Sequence, residues 1–136
     1  ACTTGNADVA VGSRYVKGGG FVNWPADRIF ISKGASYYVN FITWMGVKDP
    51  TAGFICYKRK VLETIDLDKI QFVGYAFQIE MKFAAKKLGF KIAEVPIIFT
   101  EREVGVSKMN RNIIKEGIIG VLKIQWHSFF TSYAKP

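Results

Sequence analysis

Residues 99–108 read Phe99-Thr-Glu-Arg-Glu-Val-Gly-Val-Ser-Lys108. Arg102, Ser107 and Lys108 place a guanidinium fork, a hydroxyl and an ammonium on one short stretch. Those donors suit a phosphate group. Gly105 adds a permissive backbone position that a ligand can approach closely. Charged residues are also the default on surface loops, so the stretch alone reads equally as a solvated connection.

A second set of candidates lies upstream. Arg28 and Ser32 stand four apart at the start of a predicted helix and share one of its faces. Arg14 ends the preceding strand. The Gly18-Gly-Gly20 loop between them can fold back and aim both arginines at one anion. Alternatively, Arg28 pairs with Asp27 or another carboxylate, and Ser32 is plain helix surface. In Asp49-Pro-Thr-Ala-Gly-Phe54, Asp49 and Thr51 cap a turn and Gly53 eases its backbone. Gln78 and Glu80 are two apart at the start of a helix and point to different faces, so one of them can reach a cleft. Glu80 reads equally as a carboxylate stabilising the helix N-terminus. Asp66-Leu-Asp68 has the spacing of a metal-binding acidic pair, but it reads as solvated charge at a helix end.

The elements that must hold these groups follow from periodicity and punctuation. Val9 and Val11 alternate with small residues and predict a strand over 8–15. Residues 17–23 read as a glycine-rich loop. Pro25 and Asp27 suit the first turn of a helix running to about residue 44, with Gly46 as its C-cap. Residues 54–58 read as a strand and 61–65 as a helical turn. The pattern over 75–88 predicts an amphipathic helix, with Phe77, Met81, Ala84, Ala85 and Leu88 on one face and Lys82, Lys86 and Lys87 opposite. Gly89 ends it. Residues 91–100 read as one strand, with Pro96 opening its apolar end, and 111–130 as a strongly apolar helix. Strands alternating with helices predict an α/β domain with its sheet covered by helices.

At 136 residues the chain is one domain's worth, and 49% apolar with 15% aromatic residues can fill a core. The net charge of +8 is spread along the sequence, which fits a surface meeting phosphates or anionic lipid. No motif or basic repeat points to nucleic acid. Cys2 and Cys56 lie far apart and read as free thiols, and a single histidine argues against zinc. The first residues carry neither a charged start nor an apolar run, so no signal peptide is expected in them. Ala1-Cys-Thr-Thr-Gly5 reads as the tail of a helix, so the chain is expected to begin inside a longer protein. Residues 113–130 approach the length of a membrane span, but Lys115, Glu116, Lys123 and His127 make a crossing costly. An interfacial helix or one packed on the domain is expected. Trp126, Phe129, Phe130 and Tyr133 suit a headgroup zone. A buried core helix is the alternative.

Five segments occur in order: Val11-Gly-Ser-Arg-Tyr15 before the triple glycine, Trp24-Pro-Ala-Asp-Arg-Ile-Phe-Ile-Ser32, Asp49-Pro-Thr-Ala-Gly-Phe54, Gly74-Tyr-Ala-Phe-Gln-Ile-Glu-Met81, and the arginine stretch from Phe99. Together they resemble the polyprenol-phosphate sugar transferases, inverting family 2 glycosyltransferases of the GT-A type, above all the dolichol-phosphate mannose synthases. The resemblance runs from about residue 8 to the helix beginning near residue 110. It implies a partial, Rossmann-like GT-A domain of α/β class, a mixed sheet flanked by helices. Residues 1–108 would be the C-terminal part of the catalytic domain, and 109–136 an amphipathic or apolar helix at the membrane interface.

The resemblance also implies roles. Arg14, Arg28 and Ser32 would bind phosphate groups of donor or lipid acceptor, as would Arg102, Ser107 and Lys108. Asp49 would be the catalytic carboxylate beside sugar and acceptor phosphate, either holding a sugar hydroxyl or acting as base. A phosphate acceptor is already ionised near neutral pH, so holding ranks above base catalysis. Gln78 would border the sugar pocket. The implied partners are a nucleotide-sugar donor, a polyprenyl or dolichyl phosphate acceptor and a membrane surface, at its cytoplasmic face. The nucleotide-binding half, with a D-x-D motif for a divalent metal (Mg or Mn), is expected outside this chain. The chain alone is therefore expected to be inactive and to hold no metal ligands. Transfer of glucose or an aminosugar to the same kind of lipid is one alternative. A non-catalytic phosphate- or membrane-binding module is another.

Overall fold

Val9 and Val11 are fully buried in strand β1 (Val9–Ser13). The computed structural model describes residues 6–72, 75–100, 111–130 and 132–134. Within them β1 is the centre of a three-stranded sheet. Strand β3 (Ile55–Tyr57) pairs with it antiparallel, Val9 opposite Tyr57 and Val11 opposite Ile55. Strand β4 (Ile92–Pro96) pairs with it parallel, Val9 opposite Ile92 and Ser13 opposite Pro96. The class is α/β, as the alternating pattern predicts, and the sheet is mixed, as the resemblance implies.

The chain departs from the predicted pattern on either side of this sheet. Residues 17–23, expected as a loop, carry a short strand β2 (Gly20–Val22). Residues 91–100, expected as one strand, form two, because β4 stops and β5 (Ile98–Thr100) begins after it. Proline has no N–H for a ladder, so β4 can end at Pro96. Ile97 is the pivot: its N–H donates to Ser13 O at 3.0 Å, and its carbonyl accepts from Gly20 N at 3.0 Å. Beyond it β5 pairs in parallel with β2 as a separate two-stranded sheet, Phe21 opposite Phe99. Gly19 lies so close under this crossing that a Cβ there would sit 2.5 Å from the Ser13 carbonyl oxygen.

Helix α1 (Ala26–Thr43) starts after Pro25 and carries Asp27 in its first turn, as predicted. It ends at Trp44, which takes the left-handed conformation, and Gly46 turns the chain again with φ 72°. Its polarity is inverted. Ser32, Ser36, Val39 and Thr43 are buried, while Phe30, Tyr37 and Phe41 are exposed. The hydroxyls tolerate burial because Ser36 donates to Ser32 O and Thr43 to Val39 O, one turn back.

A short helix α2 (Arg59–Thr64) and a 3₁₀ turn (Leu67–Lys69) lead to helix α3 (Tyr75–Lys87), which Gly89 ends with φ 83°. Helix α3 is less amphipathic than its sequence predicts. Residues 79–85 are all buried, including Lys82, which the periodicity puts on the solvent side. Helix α4 (Arg111–Ser128) packs on one side of α3, and the turn at 50–52, to which the Lys82 ammonium donates, covers another. The helices meet at Gly120, where a Cβ would make ordinary contact with Ala76 Cβ at 3.4 Å and the Phe72 ring at 3.7 Å. Val121 and Ile124 of α4 are buried, whereas Ile118, Ile119, Leu122 and Trp126 are exposed. Tyr38 of α1 also reaches α4, donating to Ile118 O at 3.0 Å. Helix α4 is thus packed on the domain through one side and keeps an apolar side outward. Among the described residues no helix is long and apolar enough to cross a membrane.

Two glycines should respond oppositely to alanine. G19A meets backbone at 2.5 Å and should lose about 1–3 kcal/mol. Gly34 lies exposed inside α1 with open space around it, and G34A should gain about 0.5–1 kcal/mol of helix propensity. Urea denaturation of both variants, compared with the parent, checks the pair.

Candidate functional site

Arg14 follows the last residue of β1, and Asp49 follows the loop that leaves α1. The two meet at the carboxyl end of the central strand. Asp49 is fully buried. Its Oδ2 accepts the Arg14 backbone N–H at 3.0 Å and Nε–H at 2.8 Å, and its Oδ1 accepts from Nη2 at 2.7 Å. The guanidinium and carboxylate therefore dock fork to fork, the strongest geometry for such a pair. Nη2 also donates to Thr51 Oγ1 at 3.3 Å. The Asp49 N–H donates to Glu94 Oε1 on β4 at 2.9 Å, and Ala52 N–H closes the turn on Asp49 O at 3.2 Å.

Aromatic rings surround the arginine. Its Cζ lies 5.3, 5.5, 5.5 and 5.7 Å from the ring centres of Tyr15, Phe21, Trp24 and Phe99. The pairing of β2 with β5 explains how Phe21 and Phe99 arrive together. Phe21 stacks on Trp24 at 4.7 Å, and Trp24 meets Phe99 edge-on at 5.2 Å. Arg28 Cζ lies 5.0 Å from the same Trp24 ring. Both arginines thus pack on one indole, while the fork of Arg14 is turned to Asp49.

Ser32 is buried, not helix surface, and its Oγ shares a hydrogen bond with the Tyr15 hydroxyl. Burial pushes the Tyr15 phenol above its usual range, against the pull of Ser32 and Arg14. Gln78 is half-buried. Glu80 neither faces a cleft nor serves the first turn of α3. It is buried and accepts the N–H groups of Gln71 and Phe72 at 3.0 and 3.1 Å, and the Tyr133 hydroxyl at 3.3 Å. Burial raises its carboxyl pKa, and these donors draw it back down. Arg102, Gly105, Ser107 and Lys108 lie outside the described residues, as does Cys2. Cys56 is exposed.

Sequence reasoning missed Lys82, Glu94 and the four rings. Lys82 is fully buried beneath the Asp49 turn and donates to Pro50 O at 2.8 Å, Ala52 O at 2.6 Å and Gln78 O at 3.4 Å. Burial pulls its ammonium down to about 7; Asp49 and Glu94 hold the proton on, and Arg14 repels it. A signal was present: Ile79, Met81, Phe83, Ala84 and Ala85 put apolar residues around most of the helix and leave Lys82 no solvent side. Among the described residues no group of His, Cys, Asp or Glu is arranged to hold a metal ion. Asp66 instead caps its own 3₁₀ turn by accepting Asp68 N–H at 3.2 Å, and lies 3.8 Å from Lys69 Nζ.

No protein-family profile matches the chain. It is 50% identical over 115 residues, 85% of its length, to the polyprenol monophosphomannose synthase of Mycolicibacterium smegmatis. It is 44% identical over 117 residues, 86% of its length, to the undecaprenyl-phosphate mannosyltransferase of Micrococcus luteus. Most of this chain is homologous to polyprenol-phosphate mannosyltransferases. The match spans 43% and 48% of those two relatives, so the chain corresponds to about half of their length.

Two measurements probe this relative of the mannosyltransferases. R14M strips a buried carboxylate of its cation and should lose about 3–5 kcal/mol. The double variant R14M/D49L leaves neither charge alone and should recover part of that loss in urea denaturation. The second concerns pH. The unfolded chain keeps the Lys82 proton to about 10.5, whereas the folded protein releases it near 7. Between those values the unfolded state binds more protons, so stability should rise with pH across that window. K82M should flatten the rise in melting temperature measured from pH 7 to 10.

Proposed function

We propose that the protein containing this chain transfers mannose from GDP-mannose to the phosphate of a polyprenyl lipid, with inversion at the anomeric carbon. The observation that carries the reading is the 50% identity over 115 residues to a protein named polyprenol monophosphomannose synthase. The site geometry is consistent with it. A phosphate oxygen attacks the anomeric carbon, and the nucleoside diphosphate leaves with the negative charge. Fixed cations near that charge stabilise the transition state without reorganising. Arg28 and Ser32, one turn apart on α1, and the Arg102, Ser107 and Lys108 stretch are the proposed phosphate ligands, and Gln78 is proposed to border the sugar.

Asp49 is proposed to hold a sugar hydroxyl. Three N–H groups of Arg14 already point at its two oxygens, which supports holding over proton abstraction. In this reading Arg14 orients Asp49 and supplies positive charge beside it.

The donor's nucleotide and its divalent metal are assigned to the portion of the relatives that this chain does not match, within a GT-A domain of which residues 1–108 form the acceptor side. The metal, when bound, would act as a Lewis acid on the diphosphate. The described residues do not fit such an ion, and no step here runs through one. The exposed apolar sides of α1 and α4 support a membrane surface as partner, at the cytoplasmic face, with 109–136 lying along it.

The test uses the whole protein in detergent with GDP-mannose and undecaprenyl phosphate. The expected product is a mannosyl lipid phosphate of inverted anomeric configuration. R28A should cut the rate about a hundredfold with little loss of melting temperature, and S32A less. Transfer from a glucose or aminosugar donor in place of GDP-mannose would overturn the sugar assignment. Absence of transfer from every nucleotide-sugar would overturn the enzymatic reading in favour of a binding module.

A further inference from the structure

A lysine ammonium has three donors and no acceptor. Lys82 meets three carbonyls, and two of them, Pro50 and Ala52, flank the middle of the turn that begins at Asp49. The third, Gln78, belongs to α3 one turn before Lys82. The ammonium therefore ties the underside of the Asp49 turn to a helix that is itself buried between the sheet and α4. We propose that Lys82 is a positioning residue for Asp49, setting the height and tilt of a residue whose carboxylate Arg14 holds at the end of β1 and whose backbone N–H donates to Glu94 on β4. The proposal rests on the reading of Asp49 as a substrate-holding group.

Lys82 is a poor choice for stability alone. Burial weakens its hold on the proton, and an apolar side chain of similar length would fill the space without desolvating a charge. Such a side chain would leave two carbonyls of the turn without a donor. The turn could then rock about its remaining ties, the Asp49 N–H to Glu94 and the carboxylate to Arg14. Misplacement of a reacting group by about 1 Å is enough to cost up to roughly a hundredfold in rate. A chain breaks such a local rule chiefly at functional or strained sites.

K82M and K82R in the whole protein decide the matter. Amide hydrogen exchange of residues 49–53 reports the tie without any substrate. Transfer of mannose from GDP-mannose to undecaprenyl phosphate reports its consequence. K82M should keep or raise the melting temperature, speed exchange of the turn, and lower kcat about tenfold or more with the KM for GDP-mannose little changed. K82R, which keeps a charged donor, should restore much of both. Unchanged exchange in K82M overturns the proposal. So does faster exchange with transfer unaffected, or equal loss of protection across α3 and the sheet that K82R does not rescue. If the parent protein transfers no sugar at all, the functional reading falls, and with it the role of Asp49, while the exchange data still decide whether Lys82 holds the turn.

Discussion

A carboxylate with no solvent exposure cannot stand in a protein interior without a cation and a full set of donors, and Asp49 is such a carboxylate. Arg14 meets that demand with its backbone N–H and two guanidinium nitrogens. Much of the local architecture follows from keeping this pair dry and aligned. The guanidinium is itself nearly buried, and its faces need neighbours that are apolar yet tolerant of charge, which aromatic rings provide. Phe21 and Phe99 are far apart in sequence and can meet only if two short segments pair. The small β2–β5 sheet does that, and Ile97 connects it to the main sheet by bonding to Ser13 and Gly20. The second sheet is thus best understood as the roof of an ion pair.

That dependence explains which parts of the fold were legible. The alternation of Val9 and Val11, the Pro25–Asp27 start of α1, and Gly89 after α3 are local signals, and local signals suffice for β1, α1 and α3. Strand β2 has three residues, begins with glycine and sits in a glycine-rich stretch, so nothing nearby marks it as a strand. Only its partner 78 positions later makes it one. The break at Ile97 has the same origin, since Pro96 permits a strand to end but equally permits one to begin. Of the candidate site residues, the chain brings Arg14, Arg28, Ser32 and Asp49 into one region. The spacing of Arg28 and Ser32 was readable, but the docking of Arg14 on Asp49 spans 35 residues and has no local signature.

Two charged residues of α3, Glu80 and Lys82, lie inside where Lys86 and Lys87 stay exposed as expected. A helical wheel finds the apolar face, but it cannot tell how many sides will be covered. Helix α4 covers one side of α3, meeting it where Gly120 faces Ala76, and the Asp49 turn covers another. Once both sides are covered, Glu80 and Lys82 lie inside, and each must find partners in backbone that has no other use for its polar groups. Glu80 takes the N–H groups of Gln71 and Phe72, and Lys82 takes the carbonyls of Pro50 and Ala52. Two adjacent loops are thereby tethered to one helix by charges of opposite sign, an anion for exposed donors and a cation for exposed acceptors.

The same economy of donors bears on chemistry. A carboxylate serves as a base through a lone pair that is free and poorly stabilised. Asp49 has the reverse, with three N–H groups directed at its oxygens and a buried ammonium beneath its turn. Both of its oxygens are thus already engaged by Arg14. In the proposed reaction its part would be direction: Arg14 holds its oxygens, while Glu94 and Lys82 hold the backbone of its turn, so that a hydroxyl would be accepted in one orientation. A reaction whose nucleophile is already an anion needs little more from a carboxylate than that, because its barrier is lowered chiefly by alignment and by cations placed where charge develops.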